Sequence, residues 1–479
     1  MNRDKFDVVV IGSGPAGNWA AIQACKLGKK AAIIEKNAVV GGVCVHTGTL
    51  PSKTLRETSL YYDGLKKRSF YGFEIAFKKN VTIQELMHRK NIVVENEMMV
   101  IIDQLHRNGI SLFGGVARFL NPHTIGVFQG DTQVAELESE FVVIATGTRP
   151  MHLPGLYYDG KRVFDGESIL DLQNIPERMA ILGGGVIGCE WASIFSKLDI
   201  NVTLIDKRDR LLSFLDAKFA DTLFELMREG GINLELGSAA SNITATDDGV
   251  TVNLENGHVV NSDVLLVTAG RLGNTDKIGL ENIGLKTDSY QLITVDANFR
   301  SKVKNVFAVG DVIGFPSLAS TSMDQGRRAT LAAFGGNART KKKVNLPFGI
   351  YTIPEISYVG ETEETLQEKN RAYETGVAHF YELPRGQINN DHDGILKLIF
   401  DRNTRKLLGV HIIGERATEI IHIGQAVMAF GGTIDYFADT VFNYPTIADA
   451  YKTAALNGLN KLGIIGQPTA KRMKTKSQT

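Results

Sequence analysis

One pattern occurs twice in this chain, and the repeat restricts the possible folds more than any other feature. In residues 6–28, FDVVVIGSGPAGNWAAIQACKLG, an apolar β-branched run leads into a glycine-rich turn and a helical segment, and the strand-like KAAIIEK follows. Residues 178–199, RMAILGGGVIGCEWASIFSKLD, followed by NVTLIDK, have the same order. Short continuous apolar runs of this kind are typical of strands buried in parallel sheets. The repeat therefore predicts an α/β fold with two Rossmann-like units.

The pattern changes near residue 346. Strand-like runs, EISYVG, GILKLIFD and KLLGVHIIG, are followed by the helical ATEIIHIGQAVMAF. A chain of 479 residues suggests two to four domains at roughly 100–200 residues each. We therefore predict a separate α+β domain over residues 346–463, and a disordered basic tail over residues 464–479.

Composition narrows the partners and the compartment. Lysine plus arginine equals aspartate plus glutamate, 53 of each, so no net field favours nucleic acid or an anionic membrane. No run reaches the roughly 18 apolar residues that would span a bilayer. Cys25, Cys44 and Cys189 are far apart and form no CxxC or zinc spacing. We therefore expect a cytoplasmic protein without a metal site, nucleic-acid partner or membrane partner.

A GxGxxG glycine fingerprint directly follows the predicted strand of each repeated unit. In GxGxxG the first glycine makes the tight turn, the second lets the backbone approach pyrophosphate, and the third allows close helix packing. An acid ends the next strand near the roughly 20-residue distance expected for a ribose contact. Two copies predict two dinucleotide sites, one suited to a flavin and one to an exchangeable nicotinamide. The predicted residues are Gly12, Gly14, Gly17 and Glu35 in the first copy and Gly183, Gly185, Gly188 and Asp206 in the second.

Further motifs identify a family resemblance over about residues 6–462. GGVCVHTGTLPSK, VVIATGTRP, VTAGRLGNTD and VFAVGDVIG, together with both fingerprints, make the chain similar to the flavoprotein disulfide reductases. The resemblance implies FAD at the first fingerprint, NAD(H) or NADP(H) at the second, and a homodimer formed through a C-terminal dimerisation domain, with larger assemblies left open. The implied domains are FAD-binding over 1–150 and 271–345, NAD(P)-binding over 151–270, and interface over 346–463.

The resemblance also assigns site residues. It places Glu35 at the FAD ribose and Asp311 at the ribityl and pyrophosphate region. It makes Lys53 and Glu190 the catalytic pair beside flavin N5, where Lys53 polarises the flavin and Glu190 orients both Lys53 and the nicotinamide. The other predicted cofactor-binding positions are Lys36, Gly42, Cys44, Ala117, Thr146, Gly147, Val186, Lys207, Gly270 and Ala319.

Two departures from the family bear on the reaction. A disulfide reductase needs two thiols and a base. Here Thr49 stands in place of the second cysteine, and FNYPTIADAY puts Tyr444 and Asp449 where relatives have histidine and glutamate. A phenol with a pKa of about 10 is a poor base at neutral pH. Several motifs, FNYPT and RLGNTD among them, resemble the Si-specific branch that transfers hydride between NADPH and NAD⁺ through FAD alone.

Other activities stay open from the sequence. The first is an NAD(P)H diaphorase or oxidoreductase with a quinone or metal-ion acceptor. The second is a protein resembling dihydrolipoamide dehydrogenase, against which Thr49 and Tyr444 argue. The third is a redox-sensing binding protein that holds FAD without turnover. Intact fingerprints together with Lys53 and Glu190 favour an enzyme.

The second fingerprint gives mixed signals on nucleotide preference. Asp206 suits the ribose hydroxyls of NAD(H) and opposes the 2′-phosphate of NADPH, by roughly 4 kcal/mol for unit charges about 4 Å apart at an effective dielectric near 20. Lys207 and Arg208 follow, and either can offset that repulsion. Val186 stands where some relatives cover the flavin with tyrosine, so it either leaves a stacking site open or simply packs the helix.

A helix is predicted after VFAVGDVIG. In PSLASTSMDQGRRATLAAF, Pro316 and Ser317 suit a first helical turn. The resemblance implies that this helix points its positive dipole end at the N1–O2 edge of the flavin.

Overall fold

The computed structural model describes residues 3–67, 82–336 and 345–463, so the predicted tail over 464–479 lies outside the described residues. The chain divides into two compact units. The first comprises Met1–Gly183, Ser241–Asn253 and His258–Lys341, and the second comprises Gly184–Ala240, Leu254–Gly257 and Lys342–Thr479. The four-part division predicted from the sequence stays a prediction.

Strands and helices alternate along much of the chain. The strands are β1 (Arg3–Ile11), β2 (Ala31–Glu35), β3 (Ser111–Gly114), β4 (Val116–Asn121), β5 (Thr124–Gln129), β6 (Thr132–Ile144), β7 (Thr148–Pro150), β8 (Val163–Asp165), β9 (Arg178–Leu182), β10 (Asn201–Asp206), β11 (Asn233–Leu236), β12 (Ala240–Thr246), β13 (Gly249–Leu254), β14 (Val259–Ser262), β15 (Val264–Val267), β16 (Arg271–Gly273), β17 (Val306–Ala308), β18 (Phe348–Ile350), β19 (Ile356–Gly360), β20 (Tyr373–His379), β21 (Ile395–Asp401) and β22 (Leu407–Ile413). The α-helices are α1 (Pro15–Lys26), α2 (Gly42–His46), α3 (Thr49–Lys67), α4 (Ile83–Arg107), α5 (Val186–Ser196), α6 (Ala217–Glu229), α7 (Ala319–Ala333), α8 (Glu363–Glu368), α9 (Pro384–Asn389), α10 (Ala417–Ala429), α11 (Asp435–Asp439) and α12 (Ala450–Lys461).

The central sheet of the first unit has the strand order β3-β2-β1-β6-β5-β4, with β17 paired to β6. Strand β1 runs parallel to both β2 and β6. Its side chains alternate between two apolar clusters: Val9 and Ile11 belong to one, and Val8 and Val10 to the other. Because successive side chains of a strand point to opposite faces, both faces of the sheet are covered. The predicted buried parallel strand is confirmed.

Two helices of the first unit pack with very close backbones. A Cβ atom on Gly326 of α7 would lie 2.1 Å from the carbonyl oxygen of Ala16 in α1. The Thr330 hydroxyl donates a hydrogen bond to the carbonyl oxygen of Ala20 at 3.0 Å. These contacts fix the middle of α7 against the first half of α1.

The predicted start of α7 is wrong by two residues. The helix begins at Ala319, and Leu318 caps it in an extended conformation. Ser317 has a φ of 46°, in the left-handed region, so it and the preceding Pro316 lie in the turn before the helix. Composition does not reveal that a serine adopts this conformation.

The remaining strands of the first unit form smaller groups. Strand β15 runs parallel to β8 and β9. Strands β7 and β16 pair antiparallel, as do β13 and β14.

The second unit contains the five-stranded sheet β18-β19-β22-β21-β20 and, separately along the chain, the parallel pair β10 and β11. The sheet is antiparallel, which confirms the predicted change of pattern after residue 346. Helix α12 packs on β20, because a Cβ atom on Gly376 would lie 1.9 Å from the carbonyl oxygen of Ala454. The Tyr451 hydroxyl joins α12 to α10 by donating to the carbonyl oxygen of Ile420 at 2.9 Å.

A buried ion cluster lies inside the second unit. Lys397 of β21 donates through Nζ to both carboxylate oxygens of Asp216, at 2.9 and 2.7 Å, and also contacts Glu363. The side chains of Lys397 and Asp216 are only 3% and 1% exposed. Since Asp216 precedes α6 and Glu363 begins α8, the cluster joins both helix starts to the sheet.

No helix in the described part of the chain is long and apolar enough to cross a bilayer.

Candidate active site

A cavity of about 720 Å³ lies in the first unit at the carboxyl ends of its parallel strands. Its wall includes Ile11 at the end of β1, Glu35 at the end of β2, Ala145 after β6 and Val309 after β17. Ligands of open α/β sheets bind at this edge. The residues predicted from the sequence that line it are Gly12, Gly14, Glu35, Lys36, Gly42, Cys44, Ala117, Thr146, Gly147, Asp311 and Ala319.

The first fingerprint forms part of the wall of this cavity. Gly12 has a φ of 104°, and a Cβ atom there would lie 2.5 Å from the carbonyl oxygen of Ala145, so only glycine fits without strain. A Cβ atom on Gly17 would lie 1.9 Å from the carbonyl oxygen of Gly12, which explains the close packing of α1 on its strand. Gly14 caps α1 and has open space around its Cβ direction. The three glycines therefore occupy three different environments.

The acid that ends β2 is held by the fingerprint itself. Glu35 Oε2 accepts hydrogen bonds from Ser13 N at 2.9 Å and Ser13 Oγ at 2.6 Å. Its Oε1 accepts from Asn37 N at 2.9 Å. The carboxylate is buried beside the turn, where a ribose hydroxyl can reach it.

Asp311 lines the same cavity from a short turn before α7. Its burial raises the pKa of its carboxyl group, and the charge of Arg271 and the side chains of Ser322 and Thr148 partly oppose this rise. Ser322 and Ala319 of α7 line the same wall. The N-termini of α1 and α7 both adjoin the cavity, which favours an anionic group inside it.

The cavity wall includes Thr49, the residue that stands in place of a second cysteine. Cys44 in α2 and Thr49 at the start of α3 both line the cavity. Burial raises the pKa of the Cys44 thiol, although the Thr49 side chain and the charge of Lys53 oppose the rise. Lys53, one turn further along α3, is half-buried, and its Nζ contacts Ser52 Oγ at 3.4 Å.

These features fit FAD. The volume falls within the roughly 300–1,000 Å³ of ligand pockets. Gly14 gives pyrophosphate access to the backbone of α1, Glu35 offers a fixed acceptor for a ribose, and Asp311 offers a buried carboxyl group for the ribityl region.

Sequence reasoning missed a group of polar residues on this wall. Arg149 Nη1 donates to Gly273 O at 2.9 Å, Asn274 Oδ1 at 3.2 Å and Asp276 Oδ1 at 2.9 Å, and its Nη2 donates to Gln291 Oε1 at 2.9 Å. The motifs VVIATGTRP and RLGNTD contain Arg149, Asn274 and Asp276, so these motifs were the available signal. The network fixes the loop on which Asn274 and Asp276 face the cavity.

The second fingerprint repeats the geometry of the first. Gly183 has a φ of 115°, and a Cβ atom there would lie 2.7 Å from the carbonyl oxygen of Thr268. Gly185 caps α5 and has open space around its Cβ direction. Gly188 is buried on α5, and Val186 is its half-buried first residue. Thus Gly183 and Gly185 match Gly12 and Gly14 in conformation.

Asp206 ends β10 in the position equivalent to Glu35. Its Oδ2 accepts from Gly184 N at 2.5 Å, and its Oδ1 accepts from Arg208 N at 2.8 Å. The Arg208 guanidinium adds two bonds, Nε to Oδ1 at 2.8 Å and Nη2 to Oδ2 at 2.6 Å. Burial alone raises the pKa of Asp206, but these donors outweigh it and hold the pKa below its ordinary value. Lys207 is exposed on the same turn.

Glu190, the predicted nicotinamide-orienting residue, is buried on α5. Its Oε1 accepts a hydrogen bond from Tyr351 N at 2.9 Å. One helical turn later, Ser193 Oγ accepts from Ile353 N at 3.2 Å. Helix α5 therefore binds the backbone of the turn between β18 and β19, a contact that the sequence did not predict.

Three other sequence-predicted positions lie elsewhere. Tyr444 is 71% exposed, and Asp449 is half-buried at the start of α12. Gly270 accepts a backbone hydrogen bond from Met151 at 2.9 Å and is absent from the cavity wall. No group of three or more potential metal ligands occurs in residues 3–67, 82–336 and 345–463.

Known proteins match the sequence of this chain over nearly its whole length. The pyridine nucleotide-disulphide oxidoreductase family matches residues 6–326, and its dimerisation domain matches residues 346–455. A soluble pyridine nucleotide transhydrogenase from Mycobacterium bovis is 45% identical over 464 residues, which cover 97% of this chain and 99% of the relative. One from Vibrio cholerae is 43% identical over 468 residues, covering 96% and 99%.

Solved structures of two proteins superpose on nearly the whole chain. LpdA from Mycobacterium tuberculosis superposes with a TM-score of 0.87 at 26% identity, covering 95% of this chain and 99% of that chain. The Cu(II) complex of the HOCl-induced flavoprotein disulfide reductase RclA from Escherichia coli gives 0.86 at 27%, with the same coverage. FAD and a nicotinamide dinucleotide are the cofactors of this fold family. On sequence and structure together, the chain belongs to the pyridine nucleotide-disulphide oxidoreductase family.

Proposed function

We propose that the chain catalyses reversible hydride transfer between NADPH and NAD⁺, by a ping-pong route through bound FAD and without a redox disulfide. Relatives named soluble pyridine nucleotide transhydrogenase, at 43% and 45% identity over nearly the whole chain, support the reaction class. When bound, FAD supplies a two-electron carrier between the two nucleotides.

The observation that carries the proposal is that Thr49 lines the cavity with Cys44, so the site has a hydroxyl group where a disulfide reductase needs its second thiol. A hydroxyl group cannot form a disulfide, so the pair cannot accept two electrons as two thiols do. In addition, the raised pKa of Cys44 keeps its thiol protonated at neutral pH, and the protonated form is a weak nucleophile. Thiol–disulfide exchange is therefore disfavoured at this site on two separate grounds.

The ping-pong order follows from the number of fingerprints. The sequence has two, and the first adjoins the cavity that fits FAD. Both nicotinamide nucleotides then use the second fingerprint in turn, so one product leaves before the other substrate binds. The open space at Gly185 allows the pyrophosphate of either nucleotide to approach the start of α5.

Individual residues have defined tasks in this scheme. The N-terminus of α1 and the Glu35 carboxylate bind the adenosine diphosphate part of FAD, while Asp311 and the start of α7 bind its ribityl and ring edge. Lys53 polarises the flavin ring. Glu190, held by the backbone N–H of Tyr351, orients Lys53 and the nicotinamide.

Assembly and location complete the proposal. The match of residues 346–455 to the dimerisation domain supports a homodimer, in which exposed Tyr444 faces the partner chain. The FAD-binding, NAD(P)-binding and interface domains keep the boundaries predicted from the sequence. The three cysteines are free thiols, in keeping with the cytoplasm.

An anaerobic steady-state assay tests the function. Purified flavin-loaded protein is mixed with NADPH and thio-NAD⁺ without added thiol, and thio-NADH formation is followed by absorbance. Hydride transfer supports the proposal. Failure with bound FAD, together with rapid reduction of a quinone or a metal ion, identifies a diaphorase instead, and thiol-dependent reduction of lipoamide identifies a disulfide reductase.

A further inference from the structure

The two fingerprints allow a comparison within one molecule. In each, the residue between the first two glycines donates its backbone N–H to the acid that ends the next strand: Ser13 to Glu35 at 2.9 Å, and Gly184 to Asp206 at 2.5 Å. Each pair is separated by 22 residues. The two carboxylates therefore occupy equivalent places, on the ribose side of a dinucleotide.

The residue two positions after each acid makes the same backbone contact. Asn37 N donates to Glu35 at 2.9 Å, and Arg208 N donates to Asp206 at 2.8 Å. The side chains differ: Arg208 adds a two-bond guanidinium fork to its acid, at 2.8 and 2.6 Å, while asparagine carries no charge. The adenosine ribose of FAD carries no 2′-phosphate, whereas that of NADPH does. The side chains therefore differ at the position where the two ligands differ.

The fork occupies Asp206 fully. Each carboxylate oxygen accepts one backbone N–H and one guanidinium N–H, and the aspartate side chain is only 5% exposed. The Arg208 side chain is 45% exposed, so its outer edge faces solvent. A guanidinium has five N–H donors, of which Asp206 takes two. The remaining donors match the bidentate geometry of a phosphate.

The carboxylate itself cannot easily move. A Cβ atom on Gly184 would lie 3.1 Å from Asp206 Oδ2, and a second near contact would be Leu211 Cδ2 at 2.8 Å. Asp206 therefore packs against the glycine of the turn, and the Gly184 and Arg208 backbone groups hold it there. The movable part of the pair is the arginine side chain.

We propose that Arg208 lets a single nucleotide site accept both NADPH and NAD(H) by taking two positions. With NADPH, the guanidinium stays between the Asp206 carboxylate and the 2′-phosphate and neutralises both. With NAD(H), it withdraws and leaves Asp206 to accept the ribose hydroxyls. The inference rests on the proposed function, because only an enzyme that uses both nucleotides needs such a residue.

This assignment separates Arg208 from its neighbours. Lys207 also carries a positive charge, but the atoms that cover the carboxylate belong to Arg208. Arg210 provides a matched control, since it is the same residue type on the same turn and binds Asp221 of α6 through Nε and Nη2 at 3.0 and 2.6 Å.

The test is equilibrium binding of NADP⁺ and of NAD⁺, measured separately by calorimetry on the flavin-loaded protein. Arg208→Ala is expected to weaken NADP⁺ binding about tenfold to a hundredfold, the range of one or two charge-assisted hydrogen bonds. NAD⁺ binding should be unchanged or tighter, because the Asp206 carboxylate becomes accessible. Arg208→Lys retains the charge but not the fork, so its NADP⁺ affinity should lie between that of Arg208→Ala and that of the native protein.

Three outcomes would overturn the assignment. The first is an equal loss of both nucleotides in Arg208→Ala. The second is a selective loss of NADP⁺ affinity in Lys207→Ala that is as large as the loss in Arg208→Ala. The third is an equally large selective loss in Arg210→Ala. Because binding is measured without turnover, a native protein that binds both nucleotides but fails to transfer hydride refutes the proposed function and leaves this test intact.

Discussion

Thr49 lines the same cavity as Cys44 and opposes the rise in the pKa of the Cys44 thiol, at the position where disulfide reductases carry their second cysteine. Thr49 begins α3 and Cys44 lies within α2, so the fold brings a hydroxyl group and a thiol to the same cavity. This relationship connects the departure seen in the sequence to the chemistry of the cavity.

Replacing the hydroxyl by sulfur should restore a disulfide. Thr49→Cys raises the thiol number from three to four, and we expect oxidation to pair residues 44 and 49 and leave two. The measurement is thiol titration of the denatured protein after mild oxidation. The control Cys44→Ser/Thr49→Cys should retain its three thiols. Four titratable thiols in oxidised Thr49→Cys would show that the side chains are not placed as described.

Glu190 should contribute to stability through the turn it holds. Glu190→Ala leaves the Tyr351 N–H without this acceptor, at a cost of about 1–3 kcal/mol in the free energy of unfolding. Glu190→Gln retains an acceptor oxygen and should lose less than half as much. Urea denaturation of both variants measures the difference, and equal stability of the two would argue against this role of the hydrogen bond.

Lys397 should be essential to the second unit at neutral pH. Lys397→Ala leaves the buried Asp216 carboxylate without its main partner, which costs about 3–5 kcal/mol. Asp216→Asn/Lys397→Met removes both charges and should recover most of the loss. If the double variant were as unstable as Lys397→Ala, packing rather than charge would explain the effect.

The same cluster predicts a dependence on pH. Burial alone raises the pKa of Asp216, but Lys397, together with the His411 charge and the Glu363 backbone N–H, outweighs it and lowers the pKa below its ordinary value of about 3.9. A group with a lowered pKa stabilises the fold above its ordinary pKa, and this contribution is lost as pH falls through the folded value. The stability difference between native protein and Lys397→Ala should therefore shrink from pH 7 toward about pH 3. A difference independent of pH in urea titrations would contradict this.

Asp206 should matter more for NADH than for NADPH. Asp206→Ala removes the acceptor for the ribose hydroxyls, and we expect kcat/KM for NADH to fall about tenfold, the effect of losing a charge-assisted hydrogen bond. NADPH should be less affected, because Arg208 then has no carboxylate competing with the 2′-phosphate. Equal losses with both nucleotides in steady-state kinetics would remove the ribose contact from the account.

Several features could be predicted because they depend on neighbours in sequence. The apolar runs at Val8–Ile11 and in β10, the glycine spacings and the acids 22 residues after Ser13 and Gly184 all follow local rules of strand, turn and helix. The glycine environments then follow from backbone sterics, since a strand that turns at once into a helix leaves no room for Cβ atoms.

Other features depend on contacts across long stretches of chain. Arg149 binds residues 124 to 142 positions away, and Lys397 binds Asp216 across 181 positions, so no local pattern indicates either network. Ser317 was predicted inside α7 because serine suits a first turn, whereas its positive φ is set by the surrounding fold. The choice between Lys207 and Arg208 likewise required the observed geometry of the guanidinium.

The most direct test of the central claim separates the two half-reactions. The protein, with its accessible thiols alkylated, is reduced anaerobically by one equivalent of NADPH per flavin, freed of nucleotide by gel filtration, and mixed with NAD⁺. Transfer through FAD alone should give about one NADH per flavin, with the flavin absorbance returning to its oxidised form. No NADH, or NADH only when thiols are left unmodified, would contradict transfer through FAD without a redox disulfide.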